Sequence, residues 1–218
     1  MKQLDDFLSS LESRLVIEKD TSNEEWEATQ RKHDLQQFHD DCGMDKDYFD
    51  ATIESDLFSE SHKKTLADYV QSYNDKKGMF LVILGEVGTG KTYSACAVMN
   101  ELKCGTYLDM PELKLKLNTA DRYGAKENRE AYLHRLASCS LLVLDEVGRY
   151  EGKRDEELEI LFYLMNKRYA NRRPTIICSN LTAKGFGEYI GLALKDRLRG
   201  RNMKLILEGK SLRGEENE

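Results

Sequence analysis

The chain changes texture near Gly78. Beyond it, short apolar runs alternate with stretches of three-and-four apolar spacing. The runs predict strands at 79–84, 105–109, 141–145, 175–179 and 203–207. The spacing between them predicts helices at 91–102, near 111–118 and 127–138, at 154–171 and within 183–199. Buried strands that alternate with helices predict a parallel sheet covered on both faces, an α/β three-layer fold. Pro111 suits a first helical turn, and Pro174 sits directly before a strand.

Ahead of Gly78 the pattern is helical and sparser. Leu4, Phe7, Leu8, Leu11 and Leu15 form one stripe, which predicts a helix over 3–17. A second helix is expected from about Asn23 to Asp41, with Cys42-Gly43 stopping it. Residues 43–60 read as a linker with isolated apolar anchors at Tyr48, Phe49, Ile53, Leu57 and Phe58. A helix resumes over 61–73. The expected division is therefore a helical N-terminal segment at 1–42, a linker at 43–60, a core at 61–208 and a polar tail at 209–218. Two readings fit the Leu4–Leu15 stripe: docking on a partner protein, or packing on its own chain.

Charge sharpens this division. Residues 1–62 hold 6 basic and 17 acidic side chains, a net of −11 against −6 for the whole chain, so the remainder carries +5. An acidic front and a mildly basic body suit different partners. The overall acidity argues against a dedicated coat for duplex DNA, but not against a local basic groove. At 218 residues the chain is long enough for one substantial core. No apolar run approaches a membrane helix, so no membrane role is expected. The five cysteines form no CxxC pair and no spacing with the four histidines that suits zinc. Scattered thiols point to a reducing, cytoplasmic setting.

The chemistry concentrates at two strand ends. Phe80–Leu84 runs into Gly85-Glu86-Val87-Gly88-Thr89-Gly90-Lys91-Thr92-Tyr93, a GxxxxGKT loop between strand and helix. Gly88 and Gly90 let the backbone wrap phosphate oxygens with main-chain N–H groups. The helix N-terminus adds positive potential. Lys91 brings a point charge to the β/γ-phosphates, and Thr92 a hydroxyl to Mg²⁺. The second end is Leu141-Leu142-Val143-Leu144-Asp145-Glu146. There Asp145 suits the Mg²⁺-side carboxylate, and Glu146 the base that positions water on the γ-phosphate. Two weaker signals follow. Asn180 ends the strand 175–179 and suits either a γ-phosphate contact or the turn that opens the next helix. Arg197, within Lys195-Asp196-Arg197-Leu198-Arg199-Gly200-Arg201, suits either an arginine finger acting on a neighbouring subunit or a solvated helix face.

Together these elements resemble the AAA+ ATPases, a P-loop NTPase group, and within them the DnaC/DnaI replicative-helicase loaders and the IstB transposition helper ATPases. The resemblance covers roughly Tyr48–Leu207 and rests on the GEVGTGKT loop, LLVLDEVG, TIICSN and DRLRG. It implies an AAA+ core that binds ATP and Mg²⁺, with Asn180 as sensor I and Arg197 as the trans finger through which copies self-associate. The chain departs from the wider family in three ways. About ten polar residues follow the last strand, too few for a C-terminal lid. The N-terminus lacks the zinc-binding cysteines of DnaI-type loaders. Tyr93 stands where relatives often carry histidine.

The implied function is ATP hydrolysis in the service of loading a hexameric replicative helicase onto single-stranded DNA during DNA replication, with residues 1–42 docking on the helicase. A transposition helper acting with a transposase shares the same core and is the alternative. A small-molecule P-loop kinase, for which Arg129, Arg149 and Arg154 are available, fits less well, because Asp145-Glu146 with Asn180 suits attack by water. A non-hydrolysing scaffold is disfavoured by an intact Glu146. Lys114, Lys116, Arg122, Lys126 and Arg129, interleaved with Tyr123 and Tyr132, suit a strand-binding channel or a solvated helix face.

Overall fold

A computed structural model describes residues 26, 29, 30, 32–120, 127–149, 154–209, 211 and 212. The chain divides into two compact units, Met1–Asp41 and Cys42–Glu218. In the first, the described residues 26, 29, 30 and 32–41 are helical (α1). The helix expected over 3–17 lies outside the described residues.

The second unit is an open α/β sheet. In chain order it comprises α2 (Glu60–Asn74), β1 (Phe80–Gly85), α3 (Lys91–Leu102), β2 (Thr106–Asp109), α4 (Met110–Ala120), α5 (Arg129–Ser138), β3 (Leu142–Asp145), α6 (Arg154–Ala170), β4 (Thr175–Ser179), α7 (Ala183–Leu198) and β5 (Asn202–Leu207). The strands run parallel in the order β2-β3-β4-β1-β5. Leu84 pairs in register with Ser179 on one side and Ile206 on the other, and Asp109 pairs with Asp145. This order places the C-terminal ends of β1, β3 and β4 side by side, where open parallel sheets bind ligands.

Burial follows the alternation of each strand. Phe80, Val82 and Leu84 join Leu142, Leu144 and Ile177 in one core with Leu113, Leu136, Leu161 and Leu194 from α4 to α7. The intervening Leu81 and Ile83 are equally buried, and α2 and α3 pack on their side of the sheet. Side-chain caps open the helices where the sequence offers them. Ser59 accepts from the His62 N–H, Asn128 from Ala131 and Thr182 from Gly185. Gly191, with φ of 73° and ψ of 175°, breaks α7 into two helical pieces, in keeping with the helices expected within 183–199.

The segment 43–60, expected as a linker, is instead a packed part of the second unit. Met44, Ala51, Ile53 and Phe58 are buried. A 3-10 turn at Lys46–Tyr48 is tied to α3 by Asn100. The Asn100 amide donates to the carbonyls of Tyr48 (3.0 Å), Phe49 (3.1 Å) and Ala51 (2.9 Å). Asn100 holds the backbone of this segment, and the apolar anchors Ile53 and Phe58 are buried beside it.

At the opposite end of the sheet, Arg168 of α6 is fully buried. Its guanidinium donates to Thr175 Oγ1 (2.8 Å) and to the carbonyls of Leu136 (2.8 Å) and Cys139 (3.0 Å). It joins the end of α5 and the start of β4 to α6.

Candidate nucleotide site

A cavity of about 350 Å³ opens at the C-terminal edge of the sheet. Gly88, Gly90, Lys91 and Thr92 meet Asp145, Glu146 and Asn180 there. Gly88 and Gly90 hold φ values of 81° and 92°, a left-handed conformation that a side chain would strain. Gly90 is the N-cap of α3, so the helix begins at Lys91 and aims its first N–H groups into the loop. Lys91 is buried, and its ammonium donates to the Glu86 carbonyl at 2.6 Å. The Thr89 hydroxyl donates to the same carbonyl at 2.9 Å. Val87 stands exposed on the loop and lines the cavity, as does Tyr93. Gly85 ends β1 beneath them.

Asp145 is the most heavily engaged acid of the site. It is 3% exposed at the end of β3. Its Oδ2 accepts from the Thr92 hydroxyl at 2.6 Å and from the Tyr107 phenol at 2.9 Å. Its Oδ1 accepts from the Glu146 N–H at 2.7 Å. A hydroxyl and a carboxylate in contact form the oxygen donor set that Mg²⁺ takes together with nucleotide phosphates. Among the described residues no group of three or more His, Cys, Asp or Glu is placed to hold a metal alone. The Thr92 hydroxyl and the Asp145 carboxylate fit an ion carried with a phosphate ligand.

Burial, reinforced by the Asp145 charge, pushes the Tyr107 phenol well above its usual pKa. It is held as a neutral donor. The same two causes push the Cys178 thiol up, and burial likewise raises Cys96. Both thiols are buried in the core, where the protonated form is favoured.

Glu146 holds a left-handed backbone, φ 56°, at the strand end. Such a conformation is uncommon outside glycine and turns the side chain out of the strand's alternation. Its carboxylate pairs with Arg149. Asn180 follows β4, exposed and on the cavity wall. The expected residues of the phosphate loop, Asp145, Glu146 and Asn180 are thus brought together. Arg197 is not among the residues lining this cavity. It lies in the last turn of α7, donates to the Ala193 carbonyl at 3.3 Å and stacks 5.4 Å from the Phe162 ring centroid.

Several wall residues escaped the sequence reading as site residues. Tyr48 and Leu57, from the docked 43–60 segment, line the cavity beside Tyr93. The Tyr93 ring stacks edge-on with Phe58 at 5.6 Å, and its hydroxyl accepts from the Thr52 N–H at 3.3 Å. The Leu212 N–H donates to the Gly88 carbonyl at 2.8 Å, and a Cβ on Gly88 would collide with Ser211. Tyr107 sits on β2, two residues from the Asp109–Asp145 pairing and on the same face. A tyrosine on the strand beside an acidic strand end was the available signal, but it needs the strand order to be read.

The basic residues expected along a DNA channel divide. Lys114 is corrected to a core residue: its ammonium pairs with fully buried Glu157 at 2.8 Å. Tyr132 is buried in the core. Lys116 pairs with Glu112 one turn away on α4 at 2.7 Å, and Arg129 opens α5. Arg122, Tyr123 and Lys126 lie outside the described residues.

A family model described as the IstB-like ATP-binding protein matches residues 14–218, nearly the whole chain. The chain belongs to that family. Among its relatives, the replicative helicase loader DnaC of Buchnera aphidicola subsp. Acyrthosiphon pisum is 31% identical over 150 residues, 66% of this chain and 60% of the relative. The DnaC loader of Escherichia coli K12 is 22% identical over 203 residues, 91% of this chain and 80% of the relative. The chain thus spans under two thirds of the length of the Buchnera relatives it matches. Among solved structures, a DnaC helicase loader superposes with a TM-score of 0.64 at 23% identity, covering 75% of this chain and all of that one. A DnaI structure gives 0.61 at 20% identity, covering 78% and 94%. A replication initiator DnaA bound to AMPPCP and single-stranded DNA gives 0.62 at 20%, covering 77% and 51%. These likenesses establish a P-loop NTPase fold of the DnaC/DnaI type.

Proposed function

We propose that this chain binds and hydrolyses ATP with Mg²⁺ and uses that cycle in the cytoplasm to load a hexameric replicative helicase onto single-stranded DNA during DNA replication. One observation carries the nucleotide part: Lys91, Thr92, Asp145, Glu146 and Asn180 converge on one cavity, with Thr92 and Asp145 already in contact. The main-chain N–H groups of 88–92 cradle the phosphates and Lys91 neutralises them. Thr92 and Asp145 would hold Mg²⁺, which supplies positive charge to the phosphate oxygens. Glu146 orients water and takes its proton as the bond to the leaving ADP oxygen breaks. Asn180 reaches the same water or the γ-phosphate from β4.

The helicase part is supported by the relatives named as replicative helicase loaders and by the acidic composition of residues 1–42, which suits a docking element. The transposition-helper reading shares the core and gains nothing from these relatives. Arg197, half-buried and not among the residues lining its own cavity, suits a finger presented to a neighbouring copy.

Mixing two inactive variants tests the site and the assembly together. Lys91→Ala should lose tight ATP binding. Arg197→Ala should bind ATP but turn it over at least about tenfold more slowly, below the extreme known for trans fingers. Mixed, the two should recover part of the ATPase rate, because some interfaces join an intact loop to an intact Arg197. Unchanged ATP affinity in Lys91→Ala overturns the nucleotide site. Absence of rescue overturns the trans role.

A further inference from the structure

Arg149 has a place in the cavity that the assignments above leave unused. Among the described residues lining it, Lys91 and Arg149 are the two cations. Lys91 belongs to the phosphate loop. Arg149 instead forms an ion pair with Glu146, the residue assigned to the water.

The turn that carries Arg149 is fixed on several sides. Val147 is buried, its N–H donates to the Cys178 carbonyl at 3.0 Å, and its own carbonyl accepts from Ser179 Oγ at 2.6 Å. The Gly148 N–H donates to Glu157 Oε1 at 2.7 Å. Glu157 is itself fully buried and held by Lys114. The root of Arg149 is therefore rigid, while its side chain is 58% exposed and free to swing on its three-carbon stem. From one root it faces both Glu146 and the cavity.

We propose that Arg149 reads the γ-phosphate. Without nucleotide it engages the Glu146 carboxylate. When a nucleoside triphosphate enters, the guanidinium moves to the γ-phosphate oxygens, and Glu146 is released to orient water. A terminal phosphate offers more negative charge than one carboxylate and matches the planar donor fork of arginine. A diphosphate lacks that group and leaves the Arg149–Glu146 pair in place. The hydrolytic residue is thus engaged by an internal partner until the correct ligand displaces it. This inference rests on the reading of the cavity as a nucleotide site.

The test is affinity for two ligands, not turnover. Wild type, Arg149→Ala, Arg149→Lys and Lys91→Ala are each titrated with ADP and with a non-hydrolysable ATP analogue in the presence of Mg²⁺. Arg149→Ala should weaken the triphosphate about ten- to a hundredfold and ADP by less than about twofold. Arg149→Lys should recover part of the loss, keeping the charge but not the fork. Equal weakening of both ligands, or of neither, overturns the proposal. Lys91→Ala separates the two levels. If it still binds both ligands, the nucleotide reading falls. If it loses both while Arg149→Ala loses neither, the γ-phosphate role alone falls.

Discussion

The two ends of the sheet hold buried charge in opposite ways. At the N-terminal end, Arg168 is fully buried and spends its guanidinium on a hydroxyl and three backbone carbonyls, those of Leu136, Cys139 and Pro174. Burial lowers its pKa from the usual arginine value, and the carbonyls keep it satisfied without a carboxylate. At the C-terminal end, Lys91 and Asp145 are also buried, but they face a cavity. Their partners there, the Glu86 carbonyl and the Thr92 hydroxyl, are groups that phosphate oxygens and a metal ion can replace. A charge saturated by the fold is structural. A charge with exchangeable partners at a cavity is chemical.

Substitutions at each end should separate these roles. The largest effect is expected at the cavity. Glu146→Gln should lower ATP turnover by about 10²–10⁴, leave nucleotide bound and leave the urea midpoint almost unchanged. Single-turnover hydrolysis beside equilibrium unfolding measures both. A wild-type rate would remove Glu146 from the reaction.

Arg168→Ala should do the reverse. Several buried acceptors lose their donor together, which should cost on the order of 4 kcal/mol of stability. The folded fraction should keep its nucleotide affinity. A urea midpoint equal to wild type would mean that water replaces the guanidinium and that the hub is dispensable.

Tyr107→Phe tests the boundary between the two kinds of charge, because its phenol is both buried and bound to Asp145. The loss should be about 1 kcal/mol. The folded pKa is raised, so the neutral phenol contributes its full stability below the unfolded value of about 10 and loses it as pH rises further. Wild type should therefore lose more stability than Tyr107→Phe between about pH 9 and 11. Parallel thermal melts across that range check it, and identical slopes would deny Tyr107 a buried neutral state.

Much of this site was legible because it is local. GxxxxGKT and the apolar run ending in Asp145-Glu146 each carry their chemistry within a few consecutive residues. Asn180 was legible for the same reason, at the end of an obvious strand. Tyr107 was not, since neither motif contains it and it acts through a partner on another strand. Lys114 misled because a lysine at a helical spacing looks solvated. Its partner Glu157 lies 43 positions away.

The amino-acid sequence by itself determined the strands, most helices, the phosphate loop and the acidic strand end, because periodicity, glycine placement and burial are properties of short windows. Tertiary structure decided which strand ends became neighbours. The order β2-β3-β4-β1-β5 sets Asp145 beside Tyr107 and brings Asn180 to the phosphate loop. It also decided that residues 43–60 pack as cavity wall, through Asn100 and three backbone carbonyls. A carbonyl is present at every position whatever the side chain, so the Asn100 contacts leave no trace in a pattern of apolar and polar residues, whereas the anchors Ile53 and Phe58 do.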